Sequence, residues 1–313
     1  MRVPKSFAVQ LEEEFFHLKS LMDNLIDISP IKAFHNDPSS GIIIIIPDFE
    51  WGEVDEQQTL IQLRLLTGFK NWFEKFYLLF NSAPKELIQQ IENIQSFINT
   101  WVQKGSSWDL PSSNEKAKVV FDEKTKKIHE LINLLKDSGS STVILVLDTN
   151  SLILEPDFSR YLNLVDKEKL TIFLIPTVLA ELDKLKIVHR DAEFRQKILS
   201  IINRIKGLRN QGSLLDGVIV HKSILIKMVA TEPDFEHTLH WLDNGNSDDR
   251  IIASALEIQV RNPSDTVILV SSDINLQNKA EMANLPYLEP PKREQSIKNE
   301  DFDNGENKLL YKA

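Results

Sequence analysis

The chain has 313 residues, 42% hydrophobic and 26% charged, enough apolar material for a sizeable core and, at roughly 100–200 residues per domain, for two domains. Its formal net charge of -10 excludes a protein that holds nucleic acid through a broad basic surface, but not a nucleic-acid enzyme whose acidic site is neutralised by metal ions. With no cysteine, disulfides, thiol nucleophiles and thiolate zinc sites are excluded, and a cytoplasmic location is expected.

The opening MRVPKSFAVQLEEEFF carries acids where an export signal needs an apolar core, so no signal is expected. The most apolar run, GIIIIIP at 41–47, is far shorter than the roughly 20 residues of a membrane span. Residues 1–138 are predicted to form a mainly helical domain. Segment 10–28 has apolar residues at helical spacing and Glu12, Glu13 and Glu14 in its expected first turn. A strand at 42–46 and the loop PDFEWGEVDE precede a long helix, TLIQLRLLTGFKNWFEKFYLLF. Pro84 opens another, whose Leu87, Ile91, Ile94, Phe97, Ile98 and Trp101 form one stripe. GSSWDLPSSNE at 105–115 punctuates the chain, and a helix through Ile128, Leu131, Leu134 and Leu135 leads to a boundary, DSGSS, at 137–141. The aromatic block Phe69, Trp72, Phe73, Phe76, Tyr77 and Phe80 reads as core or docking face rather than as a base-stacking platform.

From Thr142 strands and helices alternate. VILVL is the unbroken apolar run of a strand buried on both faces. A helix at 158–165, the strand LTIFLI at 170–175, a helix opened by Pro176 and a longer helix at 191–208 follow. Then come the strand GVIV at 217–220, helices at 234–242 and 248–260, the strand TVILV at 266–270 and a helix from about Asp273. This order predicts an α/β domain over 142–290, a doubly wound parallel sheet flanked by helices. The polar stretch 291–313 is expected to be a flexible tail.

Four acids stand where strands end or helices begin: Asp148 in VLDTN, Glu181 in AELDKLK, Asp249 in NSDDRIIASA and Asp273 in VSSDINLQNKA. Ligands of doubly wound sheets bind at the carboxyl ends of the strands. Four carboxylates meeting there repel one another unless a cation lies between them, most simply a divalent metal. Oxygen ligands suit Mg²⁺ or Mn²⁺, which can acidify a bound water for phosphodiester hydrolysis without a protein nucleophile. Singly, each acid has a plainer reading as a turn residue or helix cap.

These four segments, in this order, resemble the PIN-domain nucleases over about 142–290. The pattern is a strand ending D-[TS]-N, here Asp148-Thr149-Asn150, a Glu in a following helix, here Glu181, an acid opening a later helix, here Asp249, and a strand ending [ST]-x-D, here Ser271-Ser272-Asp273. DDRIIASAL and SSDINLQNKA look like the branch found in messenger-RNA decay endonucleases and in PIN domains fused to other modules. The resemblance implies a metal-dependent endoribonuclease in which water attacks in line, leaving a 5′-phosphate and a 3′-hydroxyl. Asp148, Asp273 and Asp249 would be metal ligands, and Glu181 would bind a second metal or orient the water. Thr149, Asn150 and Ser271 would hold those carboxylates by hydrogen bonds. Asp249 stands in the D-x-x-I-A register of the family, whereas Asp248 is placed to cap the helix or to contribute to the site from its N-terminus as a supporting residue. Asp183, two residues beyond Glu181, would point away from the site. No family resemblance is found in the first 140 residues, which are expected to select substrate or a protein partner.

A basic stretch follows Glu181. Lys186, Arg190, Lys197 and Arg204 are predicted to share one ridge beside an apolar face of isoleucines and to track the backbone of single-stranded RNA; a solvated helix face is the plainer alternative. His237 and His240 lack an adjacent third ligand, which favours an ordinary surface or core role. A phosphatase of haloacid-dehalogenase type also starts from an Asp at a strand end, but it needs a second Asp where Asn150 stands. A silent PIN-like scaffold that binds RNA or protein would have lost some of the acids, and a DNA- or structure-specific nuclease would keep them.

Overall fold

The computed structural model describes residues 4–33, 47–136, 142–165, 167 and 169–292. The strand expected at 42–46, the boundary at 137–141 and the tail from 293 onward lie outside the described residues.

The N-terminal region is built on four helices: α1 Phe7–Asp27, α2 Glu56–Leu78, α3 Lys85–Val102 and α4 Asn114–Lys136. A short antiparallel pair, β1 Ile31–Ala33 and β2 Phe49–Trp51, accompanies them. α1 starts three residues earlier than its sequence pattern indicates, so Glu12, Glu13 and Glu14 lie beyond its first turn. Asp55 caps α2 by accepting from the Gln58 amide at 2.7 Å. Phe69, Trp72, Phe73 and Phe76 are fully buried, with Trp72 stacked on Phe76 at 4.5 Å between ring centres. The aromatic block is therefore core. The Trp72 indole donates to the Leu11 carbonyl at 2.8 Å, which leaves no unmet donor inside it. Gly68 lets α1 approach α2 closely, since a methyl group there would strike Leu18.

The second region is a six-stranded sheet in the order β5-β6-β4-β3-β7-β8, formed by β3 Val143–Leu147, β4 Leu170–Leu174, β5 Val218–Val220, β6 Ile224–Met228, β7 Thr266–Val270 and β8 Tyr287–Leu288. All neighbours run parallel except β5, which is antiparallel to β6 at one edge. β3 and β7 are buried at every residue, as their unbroken apolar runs require; each such side chain contributes roughly 1.5–3 kcal/mol of transfer free energy. Around the sheet lie α5 Thr149–Leu154, α6 Pro176–Val188, α7 Ala192–Arg209, α8 Ser247–Arg261 and α9 Ile274–Met282.

The short elements β1, β2, α5 and β8 lie where the sequence reading placed none, and three further elements differ from it. β6 was not anticipated: a three-residue connection containing His221 and Lys222, both with positive φ (50° and 62°), joins it to β5, so the hairpin lacks the usual glycine signal. The helix expected at 234–242 shrinks to a 3-10 turn, Phe235–His237. Asp234 draws its side chain onto the Glu236 amide and His237, while Leu239 and Leu242 reach the core from irregular backbone. The helix expected at 158–165 is likewise a 3-10 segment, Phe158–Leu164.

The two regions touch through Leu78 at the end of α2, which packs into the hydrophobic core around the sheet, and through polar contacts. The Ala8 amide donates to the Pro263 carbonyl at 3.1 Å, and the Thr266 hydroxyl to the Pro4 carbonyl at 3.2 Å, at the start of β7. Asn81 donates to the His237 carbonyl at 3.1 Å, His240 lies 3.4 Å from Glu74, and Asn284 bonds Glu14. No described helix is long and apolar enough to cross a membrane.

Candidate active site

From β3 the chain passes to β4 on one side and later returns to β7 on the other, so the strand order reverses between β3 and β7. Such a switch point leaves a crevice outside the carboxyl ends of the strands. Leu147 and Val270 are paired at those ends, which brings the residues that follow them, Asp148 and Ser271, to one edge.

Asp148 extends the β3–β7 pairing by donating its amide to the Val270 carbonyl at 3.1 Å. Its Oδ1 accepts from the Ser151 amide at 2.6 Å and caps α5, while the Ser151 hydroxyl donates to Val270 at 2.8 Å. The carboxyl is only 3% exposed. Burial pushes it above the ordinary aspartate range, hydrogen bonds from Ser151 and Ser271 oppose that, and the Asp273 charge adds to it.

Asp273 caps α9, its Oδ1 accepting from the amides of Asn275 at 2.8 Å and Leu276 at 3.3 Å. Its own amide donates to the buried Ser271 hydroxyl at 3.0 Å, so Ser271 serves both aspartates. Glu181 arrives on α6, which Pro176 opens, and the Thr149 hydroxyl donates to its Oε2. The plainer cap readings are thus correct for Asp148 and Asp273 without displacing them from the site.

On α8 the doublet divides its labour. Asn246 is the N-cap, accepting from the Asp248 amide at 2.9 Å. Asp249, expected at the site, is 6% exposed and turned back: Oδ2 accepts from the Asp243 amide at 3.0 Å, and Oδ1 lies in ionic contact with Lys279 Nζ at 2.7 Å. Asp248, expected as a cap or a supporting residue at the helix N-terminus, borders the cavity.

Asp148, Glu181, Asp248 and Asp273 all border one cavity of about 590 Å³, together with Thr149 and Asn150. Lys184, His189 and Arg190 supply cationic or polar wall, and Leu185, Val188, Ile251 and Leu276 supply apolar wall. Of the four residues expected to form a basic ridge, only Arg190 borders this cavity. Lys186 is paired with Asp183 at 2.8 Å; Arg204 donates to the Pro156 carbonyl at 2.9 Å and to Asp157 at 3.3 Å; Lys197 lies outside the lining. Asp183 is exposed, as its spacing from Glu181 predicts. Sequence reasoning missed Lys279 because a lone lysine in the last turn of a helix also reads as a complement to the helix dipole.

Among the described residues, no three or more His, Asp or Glu side chains stand together as a finished ion site. The donors nevertheless fit a hard divalent cation: they are all carboxylates, one is buried against its preference for neutrality, and they border one cavity.

A mostly parallel α/β sheet with carboxylates gathered at its switch point defines this region as a protein of the acid-site α/β class. Residues 145–289 match the family model of the PIN domain, so the chain carries a PIN domain, a nuclease-like family; the N-terminal region matches no family model. A search of curated proteins finds no match to the chain.

Proposed function

We propose that the PIN domain is a metal-dependent endoribonuclease acting on single-stranded RNA. The observation that carries this reading is the convergence of Asp148, Glu181, Asp248 and Asp273 on one cavity at the switch point of a PIN domain. Asp148, Asp248 and Asp273, with Glu181, would hold Mg²⁺ or Mn²⁺. When bound, the cation would offset the carboxylate charge, polarise the scissile phosphate and acidify a water molecule.

The chain's own residues do the rest. The Thr149 hydroxyl holds Glu181, and Ser271 holds Asp148 and the Asp273 backbone, which fixes the carboxylates in place. Lys184 and Arg190 on the cavity wall suit phosphate oxygens. Leu185, Val188 and Leu276 offer an apolar surface to bases that are not stacked in a duplex. In the same reading the N-terminal region selects substrate or a protein partner; Leu60 and Leu63, exposed neighbours on α2, support that role.

Purified protein incubated with end-labelled single-stranded RNA and DNA, with Mn²⁺, Mg²⁺ or chelator, tests the reading. Metal-dependent internal cuts in RNA are expected, and Asp148→Asn should abolish them. Equal cutting by that variant would refute the site, and preferential cutting of DNA would refute the substrate. One observation favours a second reading, a silent RNA- or protein-binding scaffold: the described acids form no finished ion site. RNA binding without cutting in any metal would establish it.

A further inference from the structure

Five acids gather at the carboxyl edge of the sheet: Asp148, Glu181, Asp248, Asp249 and Asp273. Among the described residues, their ion pairs are two, and both are made by Lys279, whose Nζ lies 2.7 Å from Asp249 Oδ1 and 3.6 Å from Asp248 Oδ2. Lys279 reaches them from α9, the helix capped by Asp273, so one helix delivers both an acid and a counter-charge to the site. The lysine side chain is itself 25% exposed and the Asp249 side chain 8%, which makes this a sheltered pair rather than a surface one.

Burying a carboxylate is costly unless it is paired and hydrogen-bonded, and Asp249 is both. Its other oxygen is committed to the Asp243 amide, and the ammonium takes the remaining side. The same ammonium lies within reach of Asp248, which borders the cavity. A divalent ion approaching the α8 carboxylates would meet a fixed positive charge that is tethered to the fold and cannot diffuse away.

We infer that Lys279 is a built-in counter-ion that takes the place of one divalent cation, so that the site accepts a single metal ion. It also acts as a positioning residue: by holding Asp249 back it leaves Asp248 as the member of the doublet presented to the cavity. This inference rests on the metal-dependent reading above.

Mn²⁺ titration of the full chain, followed by electron paramagnetic resonance and calorimetry, tests it without reference to activity. Wild type and Lys279→Arg should bind one ion. Lys279→Met should bind two, because the second ion now compensates Asp249. Lys279→Met combined with Asp249→Asn, which removes both charges, should fold and return to one. Two ions in wild type, or one in Lys279→Met, would overturn the assignment. A Lys279→Met protein that stays unfolded at saturating Mn²⁺ would overturn it as well, since the metal should then substitute for the ammonium. No Mn²⁺ bound by folded wild type would instead refute the metal-dependent reading itself, and the counter-ion role with it.

Discussion

The two hydrophobic clusters of this chain enclose different kinds of polar group. In the N-terminal cluster the fully buried side chains with polar atoms are neutral: Trp72 donates to Leu11, and the buried Thr125 hydroxyl donates to Phe121 at 2.8 Å. In the PIN domain they include three carboxylates, Asp148, Glu155 and Asp249; Glu155 pairs with Arg160 and Asp249 with Lys279, whereas Asp148 has no ion pair among the described residues. The first region is arranged for stability. The second keeps an unfavourable buried charge at the switch point of its sheet, the usual relation between a functional site and the fold that carries it.

The largest test of that contrast is Asp148→Asn. Cleavage should fall by roughly 100-fold or more, as when an electrostatic group is removed from a catalytic site. Stability should move the opposite way. Because folding raises the Asp148 pKa, its contribution is fully present below the unfolded value and is lost as pH rises through the folded one. At neutral pH the charged side chain therefore opposes folding, and Asn, which can still cap α5, should raise the melting temperature by a few degrees. A melting temperature that falls would break the contrast between the regions.

Trp72→Ala probes the other side. Removal of this fully buried indole, which also strands the Leu11 carbonyl, should cost about 3–5 kcal/mol. Beyond Leu78, the named contacts between the regions are polar, so calorimetry should show the N-terminal transition moving down while Mn²⁺ affinity persists. Loss of Mn²⁺ affinity in the same transition would show that the two regions unfold as one.

A smaller effect is expected at Tyr161, whose hydroxyl donates to the carbonyls of Ser151 and Glu155, both at 2.9 Å, and ties down the far end of α5. Tyr161→Phe should destabilise the fold by about 1–2 kcal/mol in denaturant melts, by removing the hydroxyl from the Glu155 carbonyl and leaving Ser151 only its bond from the Glu155 amide. An unchanged midpoint would mean that α5 is held by its cap alone.

The smallest effect concerns His129, packed between Phe15 and Phe16 at 5.1 and 5.2 Å. Burial is the main cause that lowers its pKa below the usual 6.5, with Glu12 and Asp122 opposing. The unfolded chain then takes up the proton first, so stability is lost as pH falls from about 6.5 through the folded value, opposite in sign to Asp148. Melts of wild type and His129→Phe between neutral and mildly acidic pH should diverge as pH falls. Parallel curves would remove His129 from the acid response.

Where local chemistry suffices, the chain was readable. β3 and β7 stand out as unbroken apolar runs, the α3 stripe as a helical period, and Asp148 and Asp273 as acids that directly follow such runs. β6 was not readable, because the reversal before it uses His221 and Lys222 in place of glycine. The ridge was not readable as one face for another reason: α6 ends at Val188 and α7 begins at Ala192, so Lys186, paired with Asp183, and Arg204, bonded to Pro156 and Asp157, stand on different helices.

The sequence by itself determined the long helices and the strands β3, β4, β5 and β7, the placing of four acidic segments at element ends, and the aromatic core of the N-terminal region, since periodicity and capping act over a few residues. Only the tertiary structure decided which of Asp248 and Asp249 borders the cavity, and that Lys279 lies between them. Adjacent residues on a helix point about 100° apart, so facing is set by what packs against the helix. For α8 that neighbour is α9, delivered by a strand on the far side of the switch point.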